Sequence, residues 1–450
     1  MASVSKLLLL LLCSYCHSLV THAEDDPNYK VFSIGSVVPE ANCSETKAIP
    51  SPGGATVPLH HRYGPCSPMP SKEIPTLEEV LRSDQLRASY IQRKFTASQQ
   101  TDATVPTTLG TSLDTLEYVI TVGIGSPAVT QNVFIDTGSD VSWVQCKPCS
   151  QCHSQVDPLF DPSKSSTYSP FSCGSAACVQ LGREGNGNGC LSSRCQYIVK
   201  YLDGTSTTGT YSSDTLTLGS IVVKSFQFGC SHATSGMTEK TAGMMGLGGG
   251  AQSLVSQTAG ALGKAFSYCL PPTSASSGFL TLGASSGRSG FVTTRIFRNS
   301  KVPTFYLVLL EAIRVGGKQL NVPPSFFSAG SVMDSGTILT YLPPTAYSAL
   351  SSAFKAGMKQ YPKAQPQGIL DTCFDFSGLS SVTIPAVSLV FGGGAVVNLD
   401  ANGIMLGNCL AFAANDDDSS LGIIGNVQQR TFEVLYDVGR NAVGFRARAC

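Results

Sequence analysis

From Glu117 onward the apolar positions fall in short β-branched or aromatic runs, Tyr118 to Val122, Val133 to Ile135, Thr215 to Leu218 and Phe305 to Leu310, separated by Gly, Ser and Pro. Runs of that length bounded by turn residues predict strands. One helix stands out, over Pro344 to Gln360, where Tyr347, Leu350, Phe354 and Met358 recur at helical spacing. Residues 24 to about 105 read differently. Pro-rich stretches, Ile49 to Pro58 and Pro65 to Pro75, precede a charged helical segment, Leu77 to Phe95, with an apolar stripe at Leu77, Val80 and Leu81. So little apolar periodicity cannot bury a core of its own, so this region is expected to fold only against the rest of the chain. At the start, Lys6 precedes the apolar run Leu7 to Leu12, and small residues surround Ala23, which predicts a cleavable signal peptide over residues 1–23. Chloroplast targeting is the rival reading.

Composition narrows the class. With 450 residues, 42% hydrophobic and 45 of them glycine, the chain is a globular, turn-rich sheet protein, all-β in class. Thirty basic residues balance thirty acidic ones, and no Lys-rich stretch occurs, so no nucleic acid or anionic membrane is expected as a partner. No stretch beyond the leader has the roughly 18 apolar residues of a membrane span. Twelve of the 16 cysteines lie from Cys146 to Cys450, and behind a secretory signal they predict disulfides. The nesting of Cys173, Cys178, Cys190 and Cys195 suggests local staples, with the pairing left open.

Two patterns repeat. Phe134-Ile135-Asp136-Thr137-Gly138-Ser139 and Val332-Met333-Asp334-Ser335-Gly336-Thr337 each run an apolar strand into Asp, a hydroxyl residue and Gly. Each is followed later by two apolar residues and Gly: Met244-Met245-Gly246 and Ile423-Ile424-Gly425. A duplicated lobe produces this. Two such aspartates facing one another across a cleft would share one water and one proton, because like charges that close cannot both ionise. The ionised member would take a proton from water as it attacks a scissile carbonyl, while the protonated one donates to the carbonyl oxygen.

Other motifs compete. Cys149-Ser150-Gln151-Cys152-His153 matches a haem-attachment string, and with Cys146 it could be drawn as a zinc site. An oxidising compartment favours disulfides, leaving His153 a solvated loop residue, and neither metal nor cofactor is expected. Gly283-Ala284-Ser285-Ser286-Gly287 matches a nucleophile elbow, yet no histidine follows His232 to complete a triad. His60 and His61 are candidate pH sensors for activation, or solvated loop residues. Asn42-Cys43-Ser44 is a glycosylation acceptor.

At the two Asp loops the sequence resembles the pepsin-like aspartic peptidases, and more closely their plant nepenthesin-like branch. The likeness extends to Trp143, to Tyr201-Leu202-Asp203-Gly204-Thr205, and to Ile423 to Phe445. The stretch Leu59 to Pro68 is similar to a propeptide motif of the subgroup with a chloroplast nucleoid DNA-binding protease. The resemblance implies an all-β, bilobal fold with a central substrate cleft: prosegment 24–105, amino-terminal lobe 106–295 with a cysteine-rich insertion, and carboxy-terminal lobe 296–450. It implies a secreted, monomeric endopeptidase made as a proenzyme and acting on polypeptides, with vacuole or chloroplast as alternative destinations. Bulky apolar residues would flank the cleaved bond. Asp136 and Asp334 would be catalytic, Ser139 and Thr337 would hydrogen-bond their outer oxygens, and Thr137 and Ser335 would tie the loops together beside Gly138 and Gly336. Tyr201 and Gly204 would form a substrate-binding flap over Trp143, with Leu202 departing from the glycine common among relatives. Arg82, Arg87, Arg93 and Lys94 would offer cations to the dyad. Six bridges are expected: Cys146–Cys149, Cys152–Cys230, Cys173–Cys195, Cys178–Cys190, Cys269–Cys450 and Cys373–Cys409. The rival is a catalytically silent member, a glycanase inhibitor or binding protein.

Overall fold

The computed structural model describes residues 26–37, 42–44, 54–69, 74–99, 109–110, 115–201, 205–237, 240–283 and 290–450. The expected signal peptide lies outside them. A 16-stranded sheet forms the backbone of the molecule, and smaller sheets of five and four strands lie in the carboxy-terminal part. The large sheet is shared. Its strands Glu433–Asp437 and Ala442–Arg446 come from the end of the chain and pair, through Ala265–Cys269 and Ser277–Leu282, with the amino-terminal strands. Alternate side chains of these strands bury into one apolar core that includes Ile120, Val133, Phe266, Val434 and Tyr436.

The internal repeat is visible as geometry. Strand Val129–Asp136 runs parallel to Gly243–Gly246, with Met245 opposite Ile135 and Gly246 opposite Asp136. Strand Ser331–Met333 likewise runs parallel to Gly422–Ile424, with Met333 opposite Ile424. Each terminal glycine allows a close approach. A β-carbon on Gly246 would lie 2.4 Å from the Asp140 carbonyl oxygen, and one on Gly425 would lie 2.3 Å from that of Leu339.

The expected helix near residue 350 spans Pro344–Gly357, burying Tyr347, Leu350 and Phe354. It stops earlier than the periodicity suggests. Pro385 presses against its last residue, Gly357, where a β-carbon would meet the proline ring at 2.5 Å.

Before residue 105 the structure holds more order than the sequence suggests. Tyr29–Ser33 pairs antiparallel with Ser381–Pro385, and Ala55–His61 inserts between Ser277–Leu282 and Tyr118–Ile124 in the large sheet. Pro58 disguises the second strand. Ala55, Val57 and Leu59 nonetheless alternate into the core, and the proline stands on the more exposed face. His61 sits at the end of this strand with Nε2 3.4 Å from Glu117, so it is not a solvated loop residue.

Among the described residues there are seven disulfides, and four expected pairs are replaced. Cys146 bonds Cys230 because the strand before it, Trp143–Gln145, runs parallel to Ile221–Ser235 and sets Cys230 beside Val144. Cys149 then closes a short loop onto Cys152, so neither Cys146–Cys149 nor Cys152–Cys230 forms. In the insertion the bridges run Cys173–Cys190 and Cys178–Cys195 instead of Cys173–Cys195 and Cys178–Cys190. Burial decides it. Cys195 is fully buried and bonds Cys178 on helix Ala176–Arg183, while the exposed Cys190, opposite Cys195 on the hairpin, bonds Cys173. Cys269–Cys450 and Cys373–Cys409 occur as expected, and Cys43–Cys66 adds a bridge within the early region. Asn42 is exposed. Among the described residues no helix is long and apolar enough to cross a membrane.

Leu59 is fully buried in the large sheet's core. Leu59→Ala in the full chain should cost about 3 kcal/mol through lost burial and a cavity. The checks are the thermal midpoint and the denaturant midpoint, both of which should fall.

Candidate active site

Asp136 ends the strand Val129–Asp136, and Asp334 directly follows Ser331–Met333, so the two repeated loops meet at the join of the lobes. Both aspartates are completely buried. The loops grip each other. The Thr137 hydroxyl accepts the Ser335 N–H at 2.8 Å, and the Ser335 hydroxyl accepts the Thr137 N–H at 3.2 Å. Around the carboxylates, Gly138 N–H donates to Asp136 at 2.9 Å and Gly336 N–H to Asp334 at 3.4 Å, while the Thr337 hydroxyl donates to Asp334 Oδ2. Ser139 differs from expectation. Its hydroxyl turns to Met244 Sδ at 3.5 Å, on the neighbouring strand, and not to Asp136.

A third charged residue completes the centre. Arg87 projects from helix Leu77–Gln99 and is completely buried. Its Nη2 donates to Asp136 Oδ1 at 2.6 Å and to Asp334 Oδ1 at 2.8 Å, and its Nε donates to Asp334 Oδ2 at 2.7 Å. The two loop glycines make room for it. A β-carbon on Gly336 would lie 2.3 Å from Nη2, and one on Gly138 2.6 Å from it. Burial alone would raise the Asp334 carboxyl, but the Arg87 guanidinium and the hydrogen bonds from Arg87, Thr337 and Gly336 outweigh it and hold Asp334 below its ordinary value. Of the four expected cations only Arg87 reaches the dyad. Arg82 and Arg93 are exposed, and Lys94 lies over the Tyr90 ring at 5.4 Å.

The rest of that helix fills the cleft. Leu81, Ala88, Ile91 and Phe95 pack with Val332, Ile338, Leu339, Leu370 and Ile423, and the Phe95 ring lies 5.5 Å from Phe305. Asp84, one turn before Arg87, was not singled out from sequence. Its carboxylate accepts N–H groups of Ile338 and Leu339 at 2.6 and 3.1 Å and the Tyr341 hydroxyl at 3.0 Å. Burial pushes it up to about 7, against the pull of those donors and of Arg87. The signal was spacing: Leu81, Asp84, Arg87, Ala88, Ile91 and Phe95 share a helix face, with two charges inside an apolar stripe.

On the other wall, Trp143 Nε1–H donates to the Tyr201 hydroxyl at 2.8 Å, and both rings are buried. The Tyr201 N–H donates to the Thr205 carbonyl at 2.8 Å. Gly204, with Leu202 and Asp203, lies outside the described residues. His153 packs edge-on against Trp143 and its Nε2 lies 2.8 Å from the Thr241 carbonyl, so it is an internal residue and not a solvated one. The Cys149–Cys152 bridge takes both thiols that a zinc or haem site would need. Among the described residues no group of three or more His, Cys, Asp or Glu could hold a metal ion.

Two sequence profiles match, one described as xylanase inhibitor N-terminal over residues 118–284 and one as xylanase inhibitor C-terminal over residues 305–447. An aspartyl protease family protein of Arabidopsis thaliana is 40% identical over 95% of this chain and 94% of its own length. The chain belongs to the plant nepenthesin-like branch of the pepsin-like aspartic peptidase family. Aspartic proteinase nepenthesin-2 of Nepenthes gracilis is 37% identical over 74% of this chain and 78% of its own. Among solved structures, one titled edgp superposes with a TM-score of 0.64 at 19% identity, covering 89% of this chain and 96% of that one. Basic 7S globulin from soybean gives 0.57 at 20%, covering 73% and 91%. These two likenesses concern the bilobal all-β fold.

The reciprocal Thr137 and Ser335 bonds hold the pepsin-like dyad in register. Thr137→Val leaves a buried Ser335 N–H without its acceptor and should cost about 1–3 kcal/mol of stability. Calorimetry of the full chain checks this, and Ser335→Thr, which keeps the hydroxyl, should cost less.

Proposed function

We propose that this protein is an aspartic endopeptidase made as a proenzyme, with Asp136 and Asp334 as its catalytic pair. The supporting observation is the position of Arg87 Nη2, within hydrogen-bond reach of one oxygen from each aspartate. An atom there stands where a water shared by both carboxylates would stand once the helix has gone. Asp136 and Asp334 would then hold one proton between them. The ionised member accepts a proton from the water as its oxygen attacks the carbonyl carbon, and the protonated member gives its proton to the carbonyl oxygen. The resulting diol collapses when the pair returns a proton to the leaving amine. Gly138 and Gly336 leave the space for the substrate backbone that Arg87 fills here. Tyr201, braced by Trp143, belongs to the flap.

Residues 24 to about 105 act as the inhibitory segment, since their helix occupies the cleft and supplies a cation to the dyad. The apolar wall that packs Leu81, Ile91 and Phe95 favours substrates with bulky apolar residues. The seven disulfides among the described residues favour a secreted protein or one sent to the vacuole. The second reading, a silent binding protein, draws on the xylanase inhibitor profiles. Against it stand two intact Asp loops with their hydroxyl and glycine partners.

Asp136→Asn and Asp334→Asn should each abolish cleavage of a denatured protein while the fold persists by circular dichroism. Turnover at the wild-type rate in either folded variant would overturn the assignment. Arg87→Gln leaves two buried carboxylates facing each other without a cation, so the uncut chain should lose its docked helix and show several-fold higher basal cleavage.

The pH dependence of helix release follows from Asp334 and Asp84. Docking lowers Asp334, so its contribution is fully present above the ordinary 3.8 and is lost as pH falls through the lower docked value. Docking raises Asp84 to about 7, so between about 7 and 3.8 the docked state takes up a proton and acidification favours docking. The two oppose each other. Conversion of the 24–450 chain, followed by N-terminal sequencing, should therefore be slow at mildly acidic pH and accelerate only below about 3.8.

A further inference from the structure

The strand Ala55–His61 holds a place in the fold that the helix after it does not. Along the large sheet it links two halves. Ala55 to His60 pair with Leu282 back to Ser277 on one side, and Leu59 to His61 pair with Ile120 back to Tyr118 on the other. Among the described residues no pairing joins Ser277–Leu282 directly to Tyr118–Ile124. Ala55, Val57 and Leu59 are buried in the core. Taking the strand out would open two sheet edges and leave their N–H and C=O groups without partners, although buried backbone groups are nearly always paired. The turn after the strand is seated as closely. A β-carbon on Gly64 would lie 1.7 Å from the Ser274 carbonyl oxygen, and Ser44 exchanges backbone hydrogen bonds with Ala275 and Ser277 at 2.8 and 3.0 Å. Met69 is buried in the apolar cluster that includes Phe134 and Trp143.

His61 carries the same dependence toward the reacting centre. Its Nε2 lies 3.4 Å from one Glu117 oxygen, and Arg430 approaches the other at 3.5 Å. Burial would raise the Glu117 carboxyl, but His61, Arg430 and Asn426 outweigh it and hold it down at about 2, so it is an ion that needs its partners. The Asn426 side chain in turn donates to the Ser335 carbonyl at 3.2 Å, and its N–H donates to the Thr337 carbonyl at 2.6 Å, both in the second Asp loop. Helix Leu77–Gln99 makes its contacts elsewhere, at the dyad and the cleft wall.

We propose that the segment carrying Tyr29–Ser33 and Ala55–His61 stays bound to the protein as a separate chain after helix Leu77–Gln99 has been cut out, the slot between Tyr118–Ile124 and Ser277–Leu282 being its binding site. This rests on the proenzyme reading, and it divides the early region into a helix that blocks and a strand that remains. The slot takes a strand of this chain that turns Ala, Val and Leu inward and ends in a histidine for Glu117. The Cys43–Cys66 bridge supports retention, because a cut anywhere between those cysteines leaves the two strands joined.

The test is a 24–450 chain with a site for one sequence-specific protease inserted after Met69 and again after Gln99, so that excision of the helix does not depend on the chain's own activity. The cut protein is passed through gel filtration under native conditions, and the heavy-chain peak is then unfolded and weighed by mass spectrometry. The segment ending at Met69 should be present in a one-to-one ratio. A heavy-chain peak free of it, folded or not, overturns the proposal. In a second measurement the bound segment exchanges for an isotope-labelled synthetic copy. Leu59→Ala should speed that exchange about a hundredfold, as lost burial and a cavity predict, and an unchanged rate would show that the strand is not the anchor and overturn the proposal as well. The first measurement needs no core substitution and decides the matter even where Leu59→Ala fails to fold. Turnover by the same peak is scored separately: a retained segment without any cleavage of a denatured protein overturns the peptidase reading and leaves the strand's retention standing.

Discussion

Two fully buried carboxylates stand side by side with one guanidinium between them, and the loops and strands around them are arranged to hold that cluster of charge. Leaving water costs an ion several kcal/mol, so each aspartate is ringed by donors from its own loop, and the pair is joined by the guanidinium of Arg87. The parallel strands beside each loop, ending at Gly246 and preceding Gly425, hold the loops rigid enough for Thr137 and Ser335 to exchange hydrogen bonds. Precise positioning here comes from sheet register and not from any one side chain.

The sheet explains why the lobes do not separate cleanly in sequence. Strands from residues 433–446 return to pair with strands of the first half, so the platform under the dyad belongs to both. The glycines of the loops have a related role. They let the Arg87 guanidinium lie directly against the loop backbone beside the two aspartates.

Much of this was legible from residues. The duplicated Asp-hydroxyl-Gly pattern located the dyad, the helix at Tyr347 announced itself by periodicity, and the charged helix was found within a few residues of its ends. What escaped depended on contacts that sequence does not carry. Pro58 masked a core strand whose alternation, Ala55, Val57 and Leu59, was otherwise plain. Disulfide partners in the insertion follow which cysteines are buried, and the Ser139 hydroxyl is taken by a methionine more than a hundred positions away. Asp84 was passed over because a charge in an apolar stripe reads as a solvated face until its three donors are seen.

The early strands give the helix that fills the cleft a particular kind of leverage. Tyr29–Ser33 is fastened to strand Ser381–Pro385 and Ala55–His61 to the shared sheet, so the helix that follows is presented to the cleft on a short leash. A tethered ligand experiences an effective concentration of about the millimolar range or above, whatever the protein's own dilution. The Cys43–Cys66 bridge joins two positions on the same side of the helix and does not span it. A single break on either side of the helix therefore changes the local arithmetic without altering one contact at the dyad. Arg87 keeps the same hydrogen bonds, but the helix is now held on one side only, and a second break would turn it into a dissociable peptide competing with substrate at bulk concentration.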